Sequence, residues 1–185
     1  LQSIGLLSGV ELEIHDCVET LRKRCDSIKN GPNAPQDIAR GIGDDIPLVY
    51  GGGRVGAVAA ARLKNQVNEN AKMPAFFNAM PEVCHNEIAS WGAAGDVTQH
   101  RIAPLHLRHD FEHARLAQRF EFNETIATSG QGEVMTIQAQ GQSPVAQLFD
   151  LILFGDQMSL ELAALRGQDP GPIDVLTELK HLLAE

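Results

Sequence analysis

The chain is short of cysteine, of basic residues and of long apolar runs, and each shortage removes a class of function. Its three cysteines, Cys17, Cys25 and Cys84, are odd in number and lack the close pairing of metal-binding motifs. They are expected to be reduced thiols of a cytoplasmic protein rather than a disulfide framework. Lysine and arginine total 15 against 24 aspartates and glutamates, a net charge of −9. That balance argues against nucleic acid or an anionic membrane as the main partner, while leaving room for a local basic pocket. No stretch approaches the roughly 18–20 apolar residues that a spanning helix needs, and no signal peptide is visible. Internal repeats and low-complexity tracts are also missing.

What is present reads as one ordinary globular domain of 185 residues, 43% hydrophobic, with 17 glycines and 9 prolines, long enough to bury a core. Val10 to Lys29 carries Leu12, Val18, Leu21, Cys25 and Ile28 at helical spacing, which predicts an amphipathic helix ended by Asn30-Gly31-Pro32-Asn33. Ala34 to Ile42 suits a short second helix. Ile46 to Tyr50 is an apolar run opening into Gly51, Gly52 and Gly53, the pattern of a buried parallel strand, a glycine loop and a helix from about Arg54 to Lys72. The glycine spacing matches neither common nucleotide loop. Strand, glycine loop and helix is nonetheless how phosphates are held at helix N-termini, which makes Gly52 and Arg54 candidate substrate contacts. The plainer reading is a tight turn.

Arg101 to Leu107 is the second candidate strand, followed by a helix from about Asp110 to Thr128 with Asp110 as its N-cap. After a turn at Ser129-Gly130-Gln131-Gly132, Glu133 to Ala139 alternates as a third strand. Ser143-Pro144 opens a long helix through Leu165, Gly167 to Pro172 is a loop, and Ile173 to Leu183 a final helix. Strands alternating with helices imply an α/β layered fold with a parallel sheet.

Residues 62–91, RLKNQVNENAKMPAFFNAMPEVCHNEIASW, hold the most pointed chemistry. Removing a proton from a carbon next to a carbonyl needs a carboxylate base and a second group for the oxygen-bound protons. Glu69 and His85, sixteen residues apart, can supply both, and an imidazole titrating near ~6.5 suits the second role. Asn68, Asn70 and Lys72 read as holding Glu69 in place or edging its pocket. Glu82, Asn86 and Glu87 read as a helix cap and first turn. His106, His109 and His113, with Asp110, invite a metal reading, but no H-E-x-x-H accompanies them and no metal is expected.

N-E-N-A-K-x-P-A-F, then P-E-x-x-H-N-E-I, then Trp91 together resemble the C-terminal half of the bacterial and archaeal bifunctional phosphoglucose/phosphomannose isomerases of the sugar-isomerase (SIS) superfamily. Phe154 to Leu165 is similar to the F-D-Q-W-x-V-E-L-x-K helix of phosphoglucose isomerases, with Gln157 on its glutamine, and Arg166 to Pro170 matches the family's R-G-x-D-P ending. The resemblance implies that Glu69 is the base of a cis-enediol mechanism. It implies that His85 opens the sugar ring and is contributed by the other subunit of a dimer. Gln157, Asn68 and Lys72 then lie on the substrate side. Two positions depart from the family: Cys84 stands where Asn is commoner, and Ala164 where a substrate-contacting lysine stands. Arg166, two residues on, would point about 200° away on a helix.

The implied fold is a three-layer α/β/α sandwich with a mainly parallel sheet, a SIS-like domain over 46–185 preceded by an N-terminal helical segment over 1–45. The family is about twice this long, and its other half holds the Ser/Thr-rich phosphate loop and an arginine. The chain, which starts at Leu1, is therefore expected to be the C-terminal half of a cytoplasmic isomerase of glucose 6-phosphate or mannose 6-phosphate. Its expected partners are the sugar phosphate, the N-terminal SIS half and a second copy, with no cofactor, nucleic acid or membrane. Phe76, Phe77, Met80 and Trp91 would suit the contact between copies. The Ala164 and Cys84 changes leave a non-catalytic phosphosugar-binding or dimerisation module as the alternative. A nucleotide- or metal-binding domain ranks last.

Overall fold

Four short runs form strands β1 (Ile46–Gly52), β2 (Phe76–Met80), β3 (Ile102–Arg108) and β4 (Met135–Gln138), all parallel and in the order β2-β1-β3-β4. The computed structural model describes residues 2–6, 8–91, 95–129 and 133–184. Among these, α1 (Val10–Asn30), α2 (Ala34–Ile42), α3 (Gly53–Asn70), α4 (Gly95–His100), α5 (Ala114–Ser129), α6 (Pro144–Leu165) and α7 (Asp174–Leu182) are helical. The step from β1 to β2 runs one way along the sheet and the step from β3 to β4 the other. Right-handed crossovers therefore put α3 and α5 on opposite faces. The expected three-layer α/β/α sandwich is what forms.

Successive strand residues point to opposite faces, and two cores result. Val49, Leu105, Leu107 and Ile137 face α3 and α6, where Leu63, Val67, Leu151, Phe154, Met158 and Leu162 close the layer. Tyr50, one residue after Val49, faces the other way and joins Met80, Val83, Trp91 and Phe120 of α5. β1 and α3 run so close that a Cβ on Gly51 would stand 2.0 Å from the Gly56 carbonyl oxygen. The glycine run thus serves backbone packing at Gly51. Gly53, at φ +59°, makes the turn into α3.

α1 forms as expected but turns its apolar stripe outward. Leu12 and Val18 are 77% and 38% exposed, and the buried positions are Cys17, Thr20 and Arg24. What fastens α1 is polar. Asp150 of α6, fully buried, accepts Arg24 Nε at 2.7 Å and Nη2 at 2.6 Å, and the Gln140 amide at 2.8 Å. α2 places Ala39 and Ile42 in the main core. Residues 1–45 of the sequence reading thus pack on α6 through both helices.

Two local expectations are corrected. Periodicity predicts no strand at Phe76–Met80, yet it is a short edge strand between Pro74 and Pro81, with too few residues to show a period. Asp110 is not the cap of α5, which begins at Ala114. Instead its amide donates to Gln147 Oε1 at 2.8 Å and its carboxylate accepts Gln147 Nε2 at 2.7 Å, tying the loop after β3 to α6. The Gly130–Gly132 part of the expected turn lies outside the described residues.

Candidate active site

Parallel topology fixes where the candidate residues fall. Each strand runs up to the rim at its C-terminal end, and each following helix runs back down. Glu69 is in the last turn of α3, at the foot of the sheet, and is exposed. Its carboxylate makes no hydrogen bond or ion pair among the described residues, but its backbone is held. Lys72 Nζ donates to the Glu69 carbonyl at 2.5 Å and reaches the Pro170 carbonyl at 3.4 Å, a cation where the helix dipole favours one. Lys72 itself has φ 54°, the left-handed conformation that often ends a helix. Asn68 Nδ2 donates to the Met73 carbonyl at 2.9 Å, and Asn70 Nδ2 to Ser159 Oγ of α6 at 2.7 Å. One helical stripe above Glu69, Arg62 pairs with Asp156 at 3.0 Å. The Asp156 bond, and in smaller part the charge of Glu69, holds that guanidinium firmly protonated. Gln157 follows Asp156 on α6 and is half-buried. Asn68, Glu69, Lys72 and Gln157 thus share the side of the domain where α3 packs on α6.

Gly52, Arg54 and His85 lie at the other end. Gly52 is buried, with its carbonyl against His109 Nε2 at 3.0 Å, and a Cβ there would meet Phe120 at 2.9 Å. Arg54 is exposed in the first turn of α3. His85 closes the 3-10 turn Glu82–His85 just beyond the top of β2, exposed, with an imidazole that has no hydrogen-bond partner among the described residues. A polar clamp holds this segment. Asn86 Oδ1 accepts the Glu87 amide at 2.6 Å, as a cap does. The Glu87 carboxylate is more than the first-turn acid of the sequence reading: it accepts Tyr50 OH at 2.7 Å and Asn78 Nδ2 at 2.6 Å. Trp91 Nε1 donates to Tyr50 OH at 3.3 Å. Burial first, and then the bond to Glu87, push the Tyr50 phenol far above its ordinary range, so it stays a donor. No local signal marks Tyr50 and Glu87 as partners, because they are 37 residues apart.

One chain does not bring Glu69 and His85 together. The rise of β2 alone separates foot from rim by roughly 13 Å, before the connecting turns are added. Of the four apolar residues expected for a contact between copies, Met80 and Trp91 are buried inside the chain at 2% and 6% exposure. Phe76 and Phe77, on opposite faces of the edge strand, remain 59% and 44% exposed.

The histidines are spread out. His106 Nε2 meets Asn123 Oδ1 at 2.8 Å, between Tyr50 and Phe120. Burial pushes its pKa down to about 4. His109 faces Gly52, and His113 Nδ1 accepts the Arg115 amide at 3.1 Å. Ala164 is exposed near the end of α6. Arg166 turns instead to Asp44 at 2.8 Å, so its guanidinium is engaged elsewhere.

Residues 32–183 match the family described as the bacterial phospho-glucose isomerase C-terminal SIS domain. The chain belongs to that family. The match takes in α2 and everything after it through α7. A bifunctional phosphoglucose/phosphomannose isomerase of Caldicellulosiruptor bescii is 31% identical over 98% of this chain and 55% of its own length. One of Aquifex aeolicus is 29% identical over 97% of this chain and 54% of its own. The chain therefore spans about half the length of the curated relatives it matches. Among solved structures, a glucose-6-phosphate isomerase like protein of Thermus thermophilus superposes with a TM-score of 0.74 at 18% identity, covering 91% of this chain and 57% of that one. At that identity the likeness is one of fold, and it is the SIS fold built above.

Proposed function

We propose that this SIS domain is the catalytic C-terminal half of a cytoplasmic sugar-phosphate aldose–ketose isomerase. It would interconvert glucose 6-phosphate and fructose 6-phosphate and, as in the bifunctional relatives, accept mannose 6-phosphate. The observation that carries the reading is the free carboxylate of Glu69 on a backbone fixed by Asn68, Asn70 and Lys72. A general base must come within hydrogen-bond reach of the proton it takes, and a carboxylate with no partner among the described residues, on a fixed backbone, is available to do so. In the reaction, Glu69 takes the proton from C2 of the open-chain aldose while the C1 oxygen gains one. The resulting cis-enediol loses the proton of its C2 hydroxyl, and Glu69 returns its own proton to C1. Gln157, one helix away, orients the sugar hydroxyls. His85 opens the ring, and because it stands at the opposite end of its own sheet, a second copy supplies it.

The phosphate anchor belongs to the N-terminal SIS half. Remote binding of that dianion supplies energy that is used at the reacting carbon, so the 185-residue chain alone is expected to be inactive. A coupled dehydrogenase assay on the purified chain should show no fructose 6-phosphate turnover above background, and steady turnover would contradict the division of labour. A second reading, a non-catalytic phosphosugar-binding or dimerisation module, is favoured by one observation. The exposed helical position that would carry the substrate-contacting lysine holds Ala164.

A further inference from the structure

At the rim where His85 stands, an open pocket of about 390 Å³ lies between the first half of α5 and the 3-10 turns that follow β2, lined by Cys84, Ile88, Arg115, Gln118, Arg119 and Phe122. No carboxylate is among these lining residues. The chain is acid-rich, and Arg22, Arg24, Arg40, Arg62, Arg108 and Arg166 each pair with an aspartate or glutamate. Arg54, Arg101, Arg115 and Arg119 have no such partner among the described residues, and of these only Arg115 and Arg119 stand together, four residues apart on one helix and lining one pocket.

Their placement is also unfavourable for the helix itself. Arg115 lies in the first turn of α5, which holds no acidic residue, so a cation sits at the positive end of the helix dipole. Arg119 follows four residues later on the same face, and like charges at that spacing repel. Its Nη1 donates to the Arg115 backbone carbonyl at 3.3 Å, so the Arg119 guanidinium folds back toward the first turn. A local conflict of this kind, left without an internal counter-charge, is what a ligand site looks like. A tetrahedral anion resolves both costs at once, and planar guanidinium forks match phosphate oxygens in pairs. Gln118, between the two arginines, adds a neutral donor, while Ile88 and Phe122 give one apolar wall. The position, outside the carboxyl ends of parallel strands, is where α/β sheets commonly bind ligands.

We infer that Arg115, Gln118 and Arg119 form a binding site for a phosphate group, separate from the Glu69 end of the domain. This does not rest on the isomerase reading, since it requires only anion binding by the chain. The test uses inorganic phosphate as probe, titrated into the isotope-labelled chain at constant ionic strength with chloride as reference. Saturable shifts should cluster at Cys84, Ile88, Arg115, Gln118 and Arg119, and phosphate should raise the melting temperature. Arg115→Gln/Arg119→Gln, at one exposed and one half-buried position with no ion pair to break, should fold normally and weaken phosphate binding at least about tenfold. Arg22→Gln, on α1, should bind like the wild type. A parallel titration with glucose 6-phosphate separates two sources of the same group. Tighter binding with shifts spreading onto Phe122 indicates a phosphate ester, and equal affinity indicates free phosphate. The inference is overturned if wild type and double variant respond alike, or if phosphate gives no saturable response beyond chloride.

Discussion

Glu69→Gln in the full-length protein should lower isomerase turnover by about 10²–10⁴-fold, the range expected when a general base is lost. The substitution keeps the shape of the side chain and removes only its ability to take a proton. The hydrogen bonds that fix the end of α3 come from Asn68, Asn70 and Lys72 to carbonyls and to Ser159, and none uses the Glu69 carboxylate. Folding should therefore be unaffected, and the thermal midpoint should stay where it is. KM for the sugar phosphate should change little, because an interaction made mainly in the transition state shows in kcat rather than in binding. Steady-state kinetics on both proteins check this. A loss of only a few-fold would remove Glu69 from the role of base.

The largest effect on stability is expected at Asp150. Its carboxylate is fully buried and carries two bonds from Arg24 and one from the Gln140 amide. Asp150→Ala leaves the Arg24 guanidinium, itself only 8% exposed, without a counter-charge in an apolar surrounding that includes the Phe154 ring at 5.4 Å. Breaking one side of a buried pair costs about 3–5 kcal/mol. Beyond this pair α1 is tied by Asp16, which accepts the Gln142 amide at 3.1 Å and Ser143 Oγ at 2.9 Å, and by the buried Cys17, while Leu12 and Val18 face outward; with its buried ion pair broken, the helix should detach first. Urea unfolding followed by circular dichroism checks the total, and amide exchange along α1 checks the order. Replacing both residues with apolar ones of similar volume should cost less than the single change, since no unpaired charge remains. If Asp150→Ala unfolds at the wild-type midpoint, the pair is not what anchors α1.

Much of the layer architecture was legible because it is written in local periods. β1, β3 and β4, and the long helices α1, α3 and α6, follow from apolar spacing and from turn residues such as Gly31, Pro32 and Ser143-Pro144. The strand Phe76–Met80 was not, because five residues between two prolines show no period and both phenylalanines, though on opposite faces, stay exposed at the sheet edge. Nor does periodicity say which stripe of a helix the rest of the fold covers. α1 has an apolar stripe and buries its polar one, so its fastening by Arg24 and Asp150, 126 residues apart, had no sequence signal. The same limit applies at the site. Glu69 and His85 were found from motif and chemistry, whereas the clamp of Tyr50, Asn78 and Glu87 behind His85 exists only once β1, β2 and the following turn are side by side.

The opposed placement of Glu69 and His85 leads to one decisive measurement. Full-length Glu69→Gln and His85→Gln variants are each prepared as inactive proteins, mixed in equal amounts, allowed to exchange subunits, and assayed with fructose 6-phosphate. If each site takes Glu69 from one copy and His85 from its partner, half of the dimers are mixed and each mixed dimer regains one intact site. Activity should then rise to about a quarter of wild type, as statistical exchange in a two-fold dimer requires. A mixture that exchanges subunits and stays as inactive as its parents would show that the two residues do not meet across copies, and would contradict the proposed active site.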